Sequence, residues 1–199
     1  MQIQVRPTTA DEVSDVVRLH RLVLGYTLNA ELGEPHLRRL YRGLLVSSHG
    51  VVLRAHDDGE TQKPIIGFVS GTDDAAALQS DLIRTPGTRI LLSLALGLAW
   101  RPWLVGKLIA QTLVNRPVIH QGKLVTASLL TIGVRPDYGR KGIGHQLVEA
   151  LIVEFRRRGV RHFHLNTKSN NEHARRFYQG LGGRLIRSWR GNDIYLFVL

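Results

Sequence analysis

Val134-Arg135-Pro136-Asp137-Tyr138-Gly139-Arg140-Lys141-Gly142-Ile143-Gly144 is the stretch on which the reading of this chain turns. The apolar residues before it end a strand, and the basic, glycine-rich centre is a loop. Beyond it, Ile143, Leu147, Val148, Leu151, Ile152 and Phe155 recur at helical spacing. Arg156-Arg157-Arg158-Gly159 then closes the helix, with cations at the negative end of its dipole and a glycine stop. A strand that turns through glycines into a helix presents free amides and a positive dipole end, which suits a phosphate group. Such loops also serve as plain structural turns. Leu147 stands where a dinucleotide fingerprint needs its third glycine, and no lysine–hydroxyl pair follows as a P-loop requires.

About one βα unit later comes Asn171-Glu172-His173-Ala174-Arg175-Arg176-Phe177-Tyr178-Gln179-Gly180-Leu181-Gly182. An ordinary amphipathic helix with Phe177 and Leu181 in the core and Gly182 as its cap explains part of this pattern. It does not explain why the helix accompanies a phosphate-type loop. Together the two segments resemble the GCN5-related N-acetyltransferase (GNAT) family, strongly from about Leu124 to Gly183 and less so over the first seventy residues.

That resemblance implies an α/β fold with a mixed central sheet flanked by helices, and acetyl transfer from acetyl-CoA to a primary amine by direct attack. The strand ending in Ile132, Gly133 and Val134 would splay from its neighbour and pair with the pantetheine arm. Arg140, Lys141, Gly142, Ile143 and Gly144 would hold the pyrophosphate, Asn171 the CoA arm, and Tyr178 would protonate the departing thiolate. No metal is implied. Two departures stand out. Gly139 occupies the position where the family's loop usually begins with Arg or Gln, and Ser128 occupies the position of a glutamate base found in many members.

Serine is no base, so the acceptor matters. Deprotonating a lysine amine (pKa about 10.4) at pH 7 costs roughly 4–5 kcal/mol, whereas an amine near pKa 8 costs about 1–1.5 kcal/mol. Amino sugars and amino termini therefore rank above lysine side chains, with a water chain or Glu34, Asp73 or His120 as the alternative bases.

The 199 residues, 43% of them apolar, suit one domain spanning 1–199. The absence of cysteine removes disulfides and thiol nucleophiles, and an amino terminus that begins directly with an alternating strand points to a cytoplasmic setting. A formal net charge of +11 favours anionic partners, of which CoA accounts for only a part. Strand, helices and hairpin are expected over the first seventy residues, with Thr9-Ala10-Asp11-Glu12 as a capping box and Pro35 opening a second helix.

Residues of about 73–121 break the pattern and predict a helical insertion between the third and fourth strands, too interrupted by Arg101 and Pro102 to span a bilayer. The insertion would add core, support a homodimer, or wall the acceptor site. In the last role it could lie on a membrane through Trp100 and Trp103, with Arg89, Arg101 and Lys107. Peripheral membrane or polyanion contact ranks below the enzyme reading. So does a non-catalytic basic module of the same fold that binds nucleic acid or a membrane surface. A protein N-terminal or lysine acetyltransferase is a further alternative. His162 and His164 share one strand face but lack a third metal ligand.

Overall fold

The computed structural model describes residues 2–59, 64–84, 90–114 and 117–199. Among them the chain opens with β1 (Ile3–Pro7), α1 (Val13–Leu24), α2 (Leu28–Glu31), α3 (Glu34–Val46), β2 (Gly50–Asp57) and β3 (Ile65–Thr72). Three helices follow, α4 (Ala75–Arg84), α5 (Ile90–Trp100) and α6 (Leu104–Val114), then the two-residue strands β4 (Ile119–His120) and β5 (Lys123–Leu124). The remainder runs β6 (Ala127–Val134), a 3-10 turn (Pro136–Tyr138), α7 (Ile143–Arg157), β7 (His162–Lys168), α8 (Glu172–Gly180), β8 (Arg184–Trp189) and β9 (Asn192–Val198). Arg89, considered above for membrane contact, lies outside the described residues.

The large sheet has seven strands in the order β1-β2-β3-β6-β7-β9-β8. Every neighbouring pair is antiparallel except β6 and β7, which the crossover helix α7 makes parallel. The expected mixed α/β architecture is therefore present. Leu147, Leu151 and Phe155 of α7 pack with Phe163, Leu165 and Tyr195 on one face of the sheet. On the other face Val13, Val16 and Val17 of α1 and Leu37, Tyr41 and Leu44 of α3 close over Phe68. The α7 stripe read from helical spacing is a surface that packs.

Two local expectations change. The capping box forms in a variant way, because the Thr9 amide and hydroxyl both donate to the Glu12 carboxylate, at 2.9 and 2.7 Å, and no side chain caps α1. The strand expected over Leu124–Val134 is interrupted. Gln121 (φ 51°) and Gly122 (φ 72°) turn β4 into β5, as paired positive φ values do in tight hairpins, and the sheet resumes only at Ala127. Between them Thr126 is held by Asp73, its hydroxyl donating to the Asp73 carbonyl at 3.1 Å. The insertion comprises α4 to α6 and this hairpin, between the third and fourth strands of the sheet in chain order.

Candidate active site

β6 pairs with β3 from Ser128 to Val134 but with β7 only through Ala127–Phe163 and Ser128–His164. Beyond Ser128 the two parallel strands part, so the β7-facing edge of β6, including Ile132, Gly133 and Val134, has no strand partner among the described residues. The fork has a visible local cause. Ser70 is opposite Thr131 and Gly71 opposite Leu129, which leaves Leu130 as an extra residue on β6, and such a bulge bends its strand. An extended chain of amides and carbonyls could pair with that open edge.

At the far end of β6 the chain makes its 3-10 turn and then reverses through Arg140 (φ 60°) and Gly142 (φ 77°) into α7. The left-handed backbone at Gly142 suits glycine, and nothing lies within 4 Å of where its Cβ would be. No side chain caps α7, so its first amides face an open approach. Lys141 lies over the Tyr138 ring, Nζ 4.5 Å from the centroid, with the Arg135 guanidinium also at 5.1 Å. Arg140 and Lys141 are exposed. An anion here would meet amides, a helix dipole and cations, the chemistry a pyrophosphate requires.

Gly144, the last residue of the expected loop, also borders α8. A Cβ there would lie 3.3 Å from the Phe177 ring, so the residue serves the contact between α7 and α8. Asn171 likewise proves to be an N-cap, its side-chain oxygen accepting from the Ala174 amide at 3.1 Å. That leaves its NH₂ group as the part able to reach a ligand.

Tyr178 is 6% exposed and packs beside Phe177 and Tyr195, ring centroids 5.2 and 6.1 Å away. Burial, with a smaller contribution from Tyr26, holds the Tyr178 phenol well above its ordinary pKa. The hydroxyl is thus neutral and a donor throughout the physiological range. Tyr26, in the link between α1 and α2, is a neighbour that no sequence pattern signalled, since 152 residues separate the two tyrosines.

Two of the three alternative bases, Glu34 and Asp73, are held by cationic or imidazole partners. Glu34 is gripped by Arg38 and Arg21, which hold its carboxyl below the usual carboxylate range. Asp73 accepts from His49 at 2.7 Å and Arg158 at 2.8 Å. His120 packs against His162, ring centroids 4.9 Å apart. The Ser128 hydroxyl turns to the Leu129 carbonyl at 3.3 Å. His164 is kept neutral by burial, and among the described residues no group of three or more His, Asp or Glu side chains is placed to hold a metal ion.

A sequence model of the Acetyltransferase (GNAT) family matches residues 18–182. The chain belongs to that family. Among curated relatives, the [ribosomal protein bS18]-alanine N-acetyltransferase of Escherichia coli K12 is 42% identical over 64 residues, 32% of this GNAT chain and 43% of the relative. The Salmonella typhimurium enzyme of the same name is 38% identical over 76 residues. This GNAT chain therefore spans about half or less of the curated relatives it matches.

Among solved structures, the PaiA N-acetyltransferase of Thermoplasma acidophilum, determined in complex with coenzyme A, superposes with TM-score 0.64 at 14% identity, covering 100% of both chains. Arabidopsis thaliana NAA60 with a bisubstrate analogue superposes at 0.62 and 16% identity, covering 100% of this chain and 99% of that one. At these identities the likeness concerns the fold.

Proposed function

We propose that this GNAT chain is an acetyl-CoA-dependent N-acetyltransferase whose acceptor is a primary amine of pKa near 8. The observation that carries the reading is the fork between β6 and β7, with the uncapped start of α7 at its open end and a buried, neutral Tyr178 packed beside Tyr195 of β9, the strand that pairs with β7. The open edge at Ile132, Gly133 and Val134 pairs with the pantetheine arm. The amides from Arg140 to Gly144, with the Arg140 and Lys141 side chains, take the pyrophosphate, and the Asn171 NH₂ group contacts the arm. That a protein of this fold was determined with coenzyme A is consistent with this arrangement.

Acetyl-CoA supplies a thioester, and the free amine attacks its carbonyl carbon. The C–S bond breaks, the electron pair leaves on sulfur, and Tyr178 passes its hydroxyl proton to the thiolate as that charge develops, regaining a proton from solvent in exchange for the one the acceptor nitrogen releases. A thiol near pKa 8.5 is already a fair leaving group, so the phenol need only share its proton. The ammonium proton formed on nitrogen passes to water. The commitment of Glu34 and Asp73 to arginine and histidine partners supports an acceptor that needs no carboxylate base.

Two acceptor kinds meet that requirement. An amino sugar is the small-molecule case. A protein amino terminus is favoured separately by similarity to alanine N-acetyltransferases. Thiol release from acetyl-CoA, measured across amino sugars, alanine-terminated peptides and lysine peptides with blocked termini, tests this. The chain has no cysteine, so every thiol detected is product. Release with one of the first two classes and little with the third supports the reading. Silence across the panel would favour a basic binding module of the same fold.

A further inference from the structure

Helix α5 has the sequence Ile-Leu-Leu-Ser-Leu-Ala-Leu-Gly-Leu-Ala-Trp and carries no charge. In a globular protein such a helix turns its leucines inward, but here the small and polar stripe does so. Ser93 is buried with its hydroxyl 3.0 Å from His36 Nδ1 on α3, and a Cβ at Gly97 would come within 2.7 Å of the Leu32 side chain. The outward face carries Leu91, Leu92, Leu96 and Trp100, which are 54%, 49%, 50% and 83% exposed. The turn and helix that follow add Trp103 and Ile109, 66% and 55% exposed. One exposed leucine is ordinary, whereas a run of large apolar side chains exposed along two successive helices calls for a partner.

Charge identifies that partner. From Leu82 to Pro136 the sequence contains no Asp or Glu, and it contains Arg84, Arg89, Arg101, Lys107, Arg116, Lys123 and Arg135. Lys107 pairs with Glu31 and Arg101 donates to the Glu31 carbonyl, contacts that fasten the insertion to α2. Arg135, at the end of the stretch, pairs with Asp137, and with both pairs set aside the acid-free stretch still carries five further bases. A second copy of the chain seated on this surface would set two such stretches against each other. An anionic bilayer supplies both an apolar interior for the leucines and negative headgroups for the bases. Tryptophan favours the boundary between them. With 11 residues α5 is too short to cross, and no described helix is long and apolar enough to do so.

We infer that the outward face of α5 and α6 seats this protein on an anionic phospholipid surface, the two helices lying in the interfacial plane. The inference does not rest on the acetyl-transfer reading. Because α5 packs on α3 and α6 on α2, docking would bring the α1–α2 link with Tyr26 close to the lipid.

The test is flotation of the full chain with phosphatidylcholine vesicles, with and without phosphatidylglycerol, alongside quenching of tryptophan emission by brominated lipid. We expect flotation and quenching only with the anionic vesicles, weakened by salt. In Trp100→Ser/Trp103→Ser and Leu92→Glu/Leu96→Glu variants partitioning should fall tenfold or more. These positions are exposed, so circular dichroism should match the parent. No flotation with phosphatidylglycerol would overturn the inference. So would equal flotation of both double variants, which would assign binding to basic surface elsewhere. A dimer in sedimentation that the same variants dissociate, without lipid binding, would assign the face to a second copy instead.

Discussion

Gly144 of α7 lies against Phe177 of α8, so close that a Cβ on the glycine would stand 3.3 Å from the ring. This contact joins the two segments that identified the family. The phosphate-type loop sets the start of α7, and α7 sets the position of the helix that carries Tyr178. Gly144→Ala should move the ring by a few tenths of an ångström and shift α8 with it. We expect a several-fold loss in kcat/KM for acetyl-CoA with stability lowered by no more than about 1 kcal/mol. Gly142→Ala tests the other glycine. Its φ of 77° makes alanine strained by about 1 kcal/mol, and the effect should fall on acetyl-CoA KM. Steady-state kinetics with urea melts separates the two, and identical kinetic profiles would contradict the assignment of different roles.

Tyr178→Phe removes only a hydroxyl from a packed ring, so the fold should survive. Turnover should drop about 10- to 1000-fold, in the range of general acid contributions. Because burial holds the phenol above its ordinary pKa, the parent should show no alkaline loss of rate up to about pH 10 from this group. Unchanged turnover in the variant would remove Tyr178 from the reaction.

The pH–rate profile reports the acceptor. With an amino sugar or an α-amine, kcat/KM should rise with pH and level off near the amine's own pKa, about 8. With a lysine acceptor it should keep climbing by about tenfold per pH unit toward about pH 10. A plateau near neutrality with lysine would mean that a protein base takes the proton and would end the low-pKa acceptor reading.

Stability should fall on acidification because of two buried histidines. His20 sits between the Tyr41 hydroxyl (2.7 Å) and Thr27 (3.2 Å), and His36 against Ser93. Burial pushes each imidazole from 6.5 to about 4, with Arg39 adding to the effect at His36. The unfolded chain therefore takes up protons below about pH 6.5 that the folded chain refuses until about pH 4. Folding stability is at its full value above that window and falls through it, by at most about 3 kcal/mol per histidine. Urea midpoints measured from pH 7 to pH 4 should fall accordingly. His36→Gln should flatten the slope, and an unaltered slope would show that His36 does not contribute.

Much of the fold was legible because it follows from local periodicity. Ile143, Leu147, Val148, Leu151, Ile152 and Phe155 form a core stripe at helical spacing; all are buried but Ile152, which is partly buried against the same core. Gly159 was read as a stop and ends α7 with φ 77°. The break of the expected strand at Thr126 was not legible, because it depends on the Asp73 carbonyl, 53 residues away.

The sequence by itself determined the order of elements, the phosphate-type loop and the helix bearing Asn171 and Tyr178, since each rests on residues close together in the chain. Tertiary structure decided what long-range neighbours impose. It parted β6 from β7 at Ser128, spent the Asn171 oxygen on a cap and paired Glu34 and Asp73 with distant cations. It also turned Leu91, Leu92 and Leu96 of α5 outward. Spacing can show that a helix is apolar, but only packing against α3 shows that its small residues face in, because Ser93 and Gly97 fit a surface whose shape is made by another part of the chain.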